Sequence, residues 1–209
     1  FIQDAFQPLM ATAKFDRYNT FDKSEKELTL PVHILDDADE LNGADWKVSV
    51  KAYDNQFRVV KEESWSGSGS TGYSLHVGDF YLDASQTDSA PLYIVIDLEK
   101  NGEAVSRSYA FLNAEQEQGS LFYVPTASLE YTVEGNTYTV TNTGDVPAVG
   151  VHFICPEVSD TFRCSDNYFW LEPGETKQIT VNSTEGVEGF DAFNLADSDD
   201  TEAPGAPGS

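Results

Sequence analysis

Positive charge is scarce in this 209-residue chain: 12 Lys and Arg stand against 36 Asp and Glu, a formal net charge of -24 at pH 7. A surface this acidic repels phosphate backbones, which argues against nucleic acid as a partner, and it is equally unsuited to an anionic membrane surface. The same excess keeps a protein soluble in salty or crowded surroundings, and it leaves room for a cationic partner such as an amino-sugar polymer. No run of residues is apolar enough to cross a bilayer. Thiols and imidazoles are few as well: two cysteines, Cys155 and Cys164, and three scattered histidines, His33, His76 and His152. Without a Cys-x-x-Cys pair or clustered histidines, neither a zinc site nor any other cofactor is expected. The two cysteines flank one loop, Pro156 to Arg163. A disulfide between neighbouring strands and a pair of reduced core cysteines both remain open.

Catalytic constellations are also missing. With so many carboxylates, no Asp/Glu pair carries information about acid–base chemistry. No Gly-x-Ser-x-Gly elbow is present, and the odd separation of His152 and Cys155 along a strand puts them on opposite faces. Gly67, Gly69 and Gly72 lack the Lys-Ser or Lys-Thr that closes a phosphate loop. The acidic run Asp36 to Glu40 lacks the ligand spacing of a calcium loop. No catalytic, cofactor-binding or metal-binding residue is therefore expected.

What the chain does have is short bursts of β-branched and aromatic residues with a period of two, and no helical period. Leu28 to Ile34, Trp46 to Val50, Tyr73 to Leu82 and Leu92 to Leu98 read as strands, and Asn101-Gly102 as a hairpin into Glu103 to Phe111. Pro31 suggests that its strand lies at an edge. Trp46 alternates with the apolar set and reads as core. Ser64 to Ser74, rich in Gly and Ser, reads as an exposed loop. Phe6, Leu9 and Phe15 read as packing onto whatever precedes Phe1. After the polar connector Asn113 to Gly119 a second strand series begins at Leu129. The expected architecture is all-β, two immunoglobulin-like antiparallel β-sandwich domains in tandem over residues 1–118 and 119–196. An acidic, Pro/Gly-rich tail at 197–209 is expected to be disordered. The start at Phe1, with no signal-peptide pattern, leads us to expect a piece of a longer protein.

Exposed aromatics are the remaining chemical signal, because sugar rings stack their C–H faces on them. Trp65 and Tyr73 at the ends of the Gly/Ser stretch, and Tyr168 and Trp170, are the candidate carbohydrate contacts. The alternative is that Tyr168 and Trp170 pack at a sandwich edge while Trp65 covers a loop.

Two segments resemble the β-mannosidase and exo-β-glucosaminidase branch of glycoside hydrolase family 2. Val105-Ser106-Arg107-Ser108-Tyr109-Ala110-Phe111-Leu112 is similar to the Ser-Arg-aromatic segment of its penultimate sandwich domain. Asp166-Asn167-Tyr168-Phe169-Trp170-Leu171-Glu172-Pro173-Gly174-Glu175 resembles the signature of its last domain, and Thr141-Asn142-Thr143-Gly144 fits an upstream turn. Asp166, Asn167, Tyr168, Phe169, Pro173 and Gly174 then read as fold-holding residues: a side-chain-braced bend, an inward strand and a tight turn. The resemblance implies that the catalytic glutamates lie in a (β/α)₈ barrel, the acid/base following an Asn. This chain has no Asn-Glu pair and no strand–helix alternation. The implied role is that of accessory domains partnering the catalytic barrel of a secreted or periplasmic glycoside hydrolase. A freestanding carbohydrate-binding module and a ligand-free, adhesin-like spacer are the competing readings.

Overall fold

The computed structural model describes residues 7–15, 20–21, 27–69, 72–83, 91–114, 124–155 and 162–196. The expected tail at 197–209, most of the connector before Gly119, most of the Pro156 to Arg163 loop, and Phe6 lie outside these residues. Every element among them is a strand. The chain divides into two compact units, residues 1–124 and 125–209.

The N-terminal unit holds β1 (Leu9–Ala13), β2 (Thr20–Phe21), β3 (Glu27–Asp36), β4 (Asp45–Tyr53), β5 (Val59–Ser68), β6 (Ser74–Asp83), β7 (Leu92–Lys100) and β8 (Glu103–Ala114). They form a three-stranded sheet, β1-β3-β6, and a five-stranded sheet, β2-β8-β7-β4-β5. All pairings are antiparallel except β2 with β8. Period-two alternation sends Leu30, Val32 and Ile34 of β3 inward against Val48, Val50 and Ala52 of β4 and Ile94, Ile96 and Leu98 of β7, all buried in one cluster. Tyr93 and Val95, on the other face of β7, are buried too; Phe57 covers Tyr93 with ring centres 4.9 Å apart.

Three expectations change. Leu9, Ala11 and Ala13 are buried in this unit's own core, as part of β1, and Phe15 packs against it. β3 is central, not an edge. Its Pro31 sits just past the end of β1, where Lys14 N–H donates to the Pro31 carbonyl (2.9 Å). In an antiparallel strand the missing proline N–H points to the same side as that carbonyl, so a single rung at the end of the β1 ladder is lost. The expected Ser64 to Ser74 loop is largely strand, because β5 continues to Ser68 opposite β4.

The family-like segment Val105 to Leu112 has a clear mechanical use. Ala11 N–H donates to Ser106 Oγ (3.3 Å) and the Ser108 hydroxyl donates to the Ala11 carbonyl (2.8 Å), tying β1 to β8. Arg107 faces Asp97 across the ladder and its Nε donates to Asp97 Oδ1 at 2.6 Å.

The C-terminal unit contains β9 (Leu129–Glu134), β10 (Thr137–Asn142), β11 (Ala148–Ile154), β12 (Phe169–Leu171), β13 (Thr176–Thr180) and β14 (Gly189–Asp191). Its two sheets are β13-β10-β9 and β12-β11-β14. Tyr138, Val140, Val151, Phe153, Phe169, Leu171 and Ile179 pack as one core.

Two buried asparagines fasten the connections of this unit. Asn142 donates from Nδ2 to the carbonyls of Val146 (2.8 Å) and Leu171 (3.0 Å), and its Oδ1 accepts the Gly144 N–H (3.0 Å). Asn194 Nδ2 donates to the carbonyls of Pro125 (3.0 Å) and Pro147 (2.9 Å), and its Oδ1 accepts the Val149 N–H (2.9 Å). Removing either amide leaves three backbone groups, buried or partly buried, without their partner. Asn142→Ala is expected to destabilise the unit by about 2–4 kcal/mol in chemical denaturation. Asn182→Ala, outside this web, is the comparison and should cost far less.

Candidate functional site

The Asp166 to Glu175 segment opens with a side-chain-braced bend. Asn167 N–H donates to Asp166 Oδ1 (2.7 Å), Lys177 pairs with Asp166 Oδ2, and Asn167 Oδ1 accepts the Phe153 N–H (3.2 Å). These bonds reach across to β11 and β13 and hold Tyr168 in the left-handed region, φ 60°. For a bulky L-residue that conformation costs roughly 1–2 kcal/mol and persists only where its surroundings impose it. Phe169 and Leu171 enter the core, and Lys177 Nζ lies 4.7 Å from the Phe169 ring centre. Pro173 and Gly174 then turn the chain: Glu175 N–H donates to the Glu172 carbonyl (3.0 Å) with Gly174 at φ 74°, the conformation a type II turn needs at that position.

The strain at Tyr168 sets its ring beside two others. His152 stacks on it at 4.9 Å and 15°, while Phe193 lies 6.0 Å from His152 and 6.1 Å from Tyr168. Tyr168 and Phe193 are each 38% exposed. Beneath them is Gly150, at φ 64°: a Cβ there would lie 2.4 Å from the Phe193 ring. The Gly150 carbonyl also holds His152 Nδ1 at 2.9 Å, which fixes the imidazole plane. The result is a pre-formed, partly open cluster of three rings, two of them stacked and the Phe193 ring tilted against both. Flat apolar faces of this kind suit the C–H faces of sugars and the apolar surface of another domain.

The other candidate contacts fare differently. Trp170 is buried, 2% exposed, and offers no face to a ligand. Trp65 is not on a loop. It lies on β5 opposite Val48, packs against the N-terminal core, and its indole covers Gly78 of β6, where a Cβ would meet Nε1 at 2.3 Å. Tyr73 is 78% exposed but stands at the far end of β6, next to Asp36, so it is not paired with Trp65. Trp46, expected in the core, packs against it only in part, with its ring over Gly67. That end of the sheet borders an open cleft of about 630 Å³, lined by Trp46, Lys47, Ser66 and Glu99 among others. Asp36 serves as a turn cap: its two buried carboxylate oxygens accept the N–H groups of Glu40 (2.8 Å) and Leu41 (2.9 Å). No group of three or more His, Cys, Asp or Glu among the described residues is arranged to hold a metal ion.

Cys155 and Cys164 are free thiols packed against the C-terminal core. Burial pushes both thiols above their usual range, with Glu188 adding to the effect at Cys155 and Asp166 and Cys155 at Cys164.

The sandwich geometry defines the class: an all-β chain of immunoglobulin-like domains. Residues 124–192 match the Ig_mannosidase family model, described as an Ig-fold domain. A search of curated proteins finds no match. Among solved structures, the chain is similar to the exo-chitosanase CsxA of Amycolatopsis orientalis, with TM-score 0.66 and 17% identity over 92% of this chain and 26% of that one. It is also similar to the β-D-mannosidase of Dictyoglomus thermophilum, with TM-score 0.60 and 16% identity over 92% of this chain and 22% of that one. The chain thus spans about a quarter of the length of these structures. The likeness covers both units and agrees with the resemblance read from Val105 to Leu112 and Asp166 to Glu175.

Gly150→Ala combines left-handed strain with a collision under Phe193, and is expected to cost about 2–4 kcal/mol and to loosen the three-ring face. Hydrogen exchange along β11 would show it. Raised thiol pKa values leave less thiolate at any pH below them. Alkylation of Cys155 and Cys164 should therefore be slower than that of a free thiol at pH 7.5, with the steep rise displaced to higher pH.

Proposed function

We propose that the chain is the non-catalytic accessory portion of a larger glycoside hydrolase, β-mannosidase-like or exo-β-glucosaminidase-like, and that its domains support the catalytic barrel of that enzyme. The observation that carries this reading is the coverage. A tandem likeness takes in 92% of this chain yet only 26% of an exo-chitosanase and 22% of a β-mannosidase, which leaves most of each relative for the chemistry. The match of residues 124–192 to the Ig_mannosidase domain supports the same parentage. The hydrogen-bonded roles of Ser106, Ser108, Asp166 and Asn167 fit a buttress, since each side chain holds a backbone group in place. A secreted or periplasmic location accompanies this reading.

The face of His152, Tyr168 and Phe193 is the surface we assign to contact with the parent's body or with the rim of its sugar pocket. The exposure of that face also favours a second reading, a carbohydrate-binding module that acts alone.

The chain by itself is expected to release no nitrophenol from nitrophenyl β-mannoside or β-glucosaminide, and turnover that survives repurification would overturn the accessory reading. Titration calorimetry with mannan and chitosan oligosaccharides separates the two readings. Micromolar binding abolished by Tyr168→Ala would favour the freestanding module, and the absence of binding favours the buttress. Trp65→Ala, whose indole closes the N-terminal sandwich, is expected to lower stability and leave any sugar binding untouched.

A further inference from the structure

The outer face of the β1-β3-β6 sheet carries two of the chain's three histidines side by side. The pairing of β3 with β6 slips between Val32 and His33: Val32 faces Gly78, whereas His33 faces His76, so β6 carries one extra residue at Val77. Along a regular strand Asp79 and His76, three apart, would point to opposite faces. The bulge puts both on the outer face, at successive outward-facing rungs opposite Pro31 and His33. Bulges of this kind re-aim side chains, and here the effect is to bring an imidazole pair and a carboxylate together.

The geometry suits a metal ion. The His33 and His76 ring centres are 5.1 Å apart and tilted by 44°. Two imidazoles bound to one tetrahedral ion through bonds of about 2.0–2.1 Å place their ring centres about 5 Å apart. His76 Nε2 is held by Asp79 Oδ1 at 2.9 Å, and the Tyr81 hydroxyl donates to Asp79 Oδ2 at 3.4 Å. With Nε2–H committed to the carboxylate, His76 keeps its Nδ1 lone pair for a ligand. This is the carboxylate–histidine arrangement that orients metal-binding imidazoles and raises their basicity. No hydrogen bond engages the His33 ring nitrogens among the described residues. His76 is half exposed and His33 partly exposed, in a chain whose net charge of -24 draws cations to its surface.

We propose that His33 and His76 form a two-imidazole chelate for a borderline divalent ion, Zn²⁺ or Cu²⁺, with Asp79 as the positioning residue for His76. Imidazole donors select these ions over Mg²⁺ and Ca²⁺. Water completes the coordination sphere, in keeping with the lack of any three-ligand cluster among the described residues.

Calorimetry with ZnCl₂ on the whole metal-stripped chain tests the proposal. One Zn²⁺ per chain is expected. His33→Asn and His76→Asn should each abolish that binding, and Asp79→Asn should weaken it about 10- to 100-fold. His152→Asn, at the third histidine, should leave it unchanged. All three altered side chains lie on the outward face, so circular dichroism of each variant should match the parent chain. The unmutated protein gives an independent reading: Zn²⁺ should shift the imidazole resonances of His33 and His76 and not those of His152, and Cu²⁺ should show two nitrogen donors by electron paramagnetic resonance. Undiminished Zn²⁺ affinity in the His33→Asn/His76→Asn double variant, or resonance shifts confined to other residues, would overturn it.

Discussion

A sandwich turns its chain back at each end of every sheet, and at each turn it carries backbone N–H and C=O groups away from their ladder partners. In the C-terminal unit, the side-chain amides of Asn142 and Asn194 take up that demand. Each is almost fully buried and each satisfies three main-chain groups drawn from two separate stretches of the sequence. In the N-terminal unit Asp36 and Asp54 do comparable work for single turns. Asp54 Oδ1 accepts the N–H groups of Gln56 and Arg58, both at 2.9 Å, while Oδ2 pairs with the Arg58 guanidinium. These four are the buried polar residues among those described. A polar group in a core costs least when every donor and acceptor it carries is used, and that condition also fixes the connections it reaches.

The second organising device is steric. Indoles and rings lie directly on glycines: Trp65 on Gly78, Trp46 on Gly67, Phe193 on Gly150. In each case the absence of a Cβ lets an aromatic face approach the backbone. The N-terminal sandwich closes at its β5–β6 side in this way, and the C-terminal unit acquires its stacked surface.

Much of the fold was legible in the sequence because half-buried antiparallel strands write their burial as a period of two. Leu92 to Leu98 and Leu28 to Ile34 are plain cases. β1 was not legible: Leu9, Ala11 and Ala13 alternate, but two of the three are alanines, too small to stand out as an apolar face. The Gly67 region misled for a physical reason. Glycine and serine read as loop, yet Gly67 lies within a strand because Trp46 needs the space above it. In the resemblance segments, the side chains of Ser106, Ser108, Asp166 and Asn167 make bends and ties. The candidate site was only partly legible. Tyr168 was identified, but its partners His152 and Phe193 come from strands and turns that meet only in the folded unit, and Trp170, two residues from Tyr168, is buried.

The placement of the three tryptophans has an optical consequence. Trp46 and Trp65 belong to the N-terminal unit and pack at its core, whereas Trp170 is the sole indole of the C-terminal unit and is nearly sealed from solvent. Intrinsic emission thus carries a built-in label for each half of the chain. Replacing Trp170 with phenylalanine would silence one half, and replacing the other two would silence the other. The spectral shift on denaturation could then be assigned to one unit at a time, without any dye or tag.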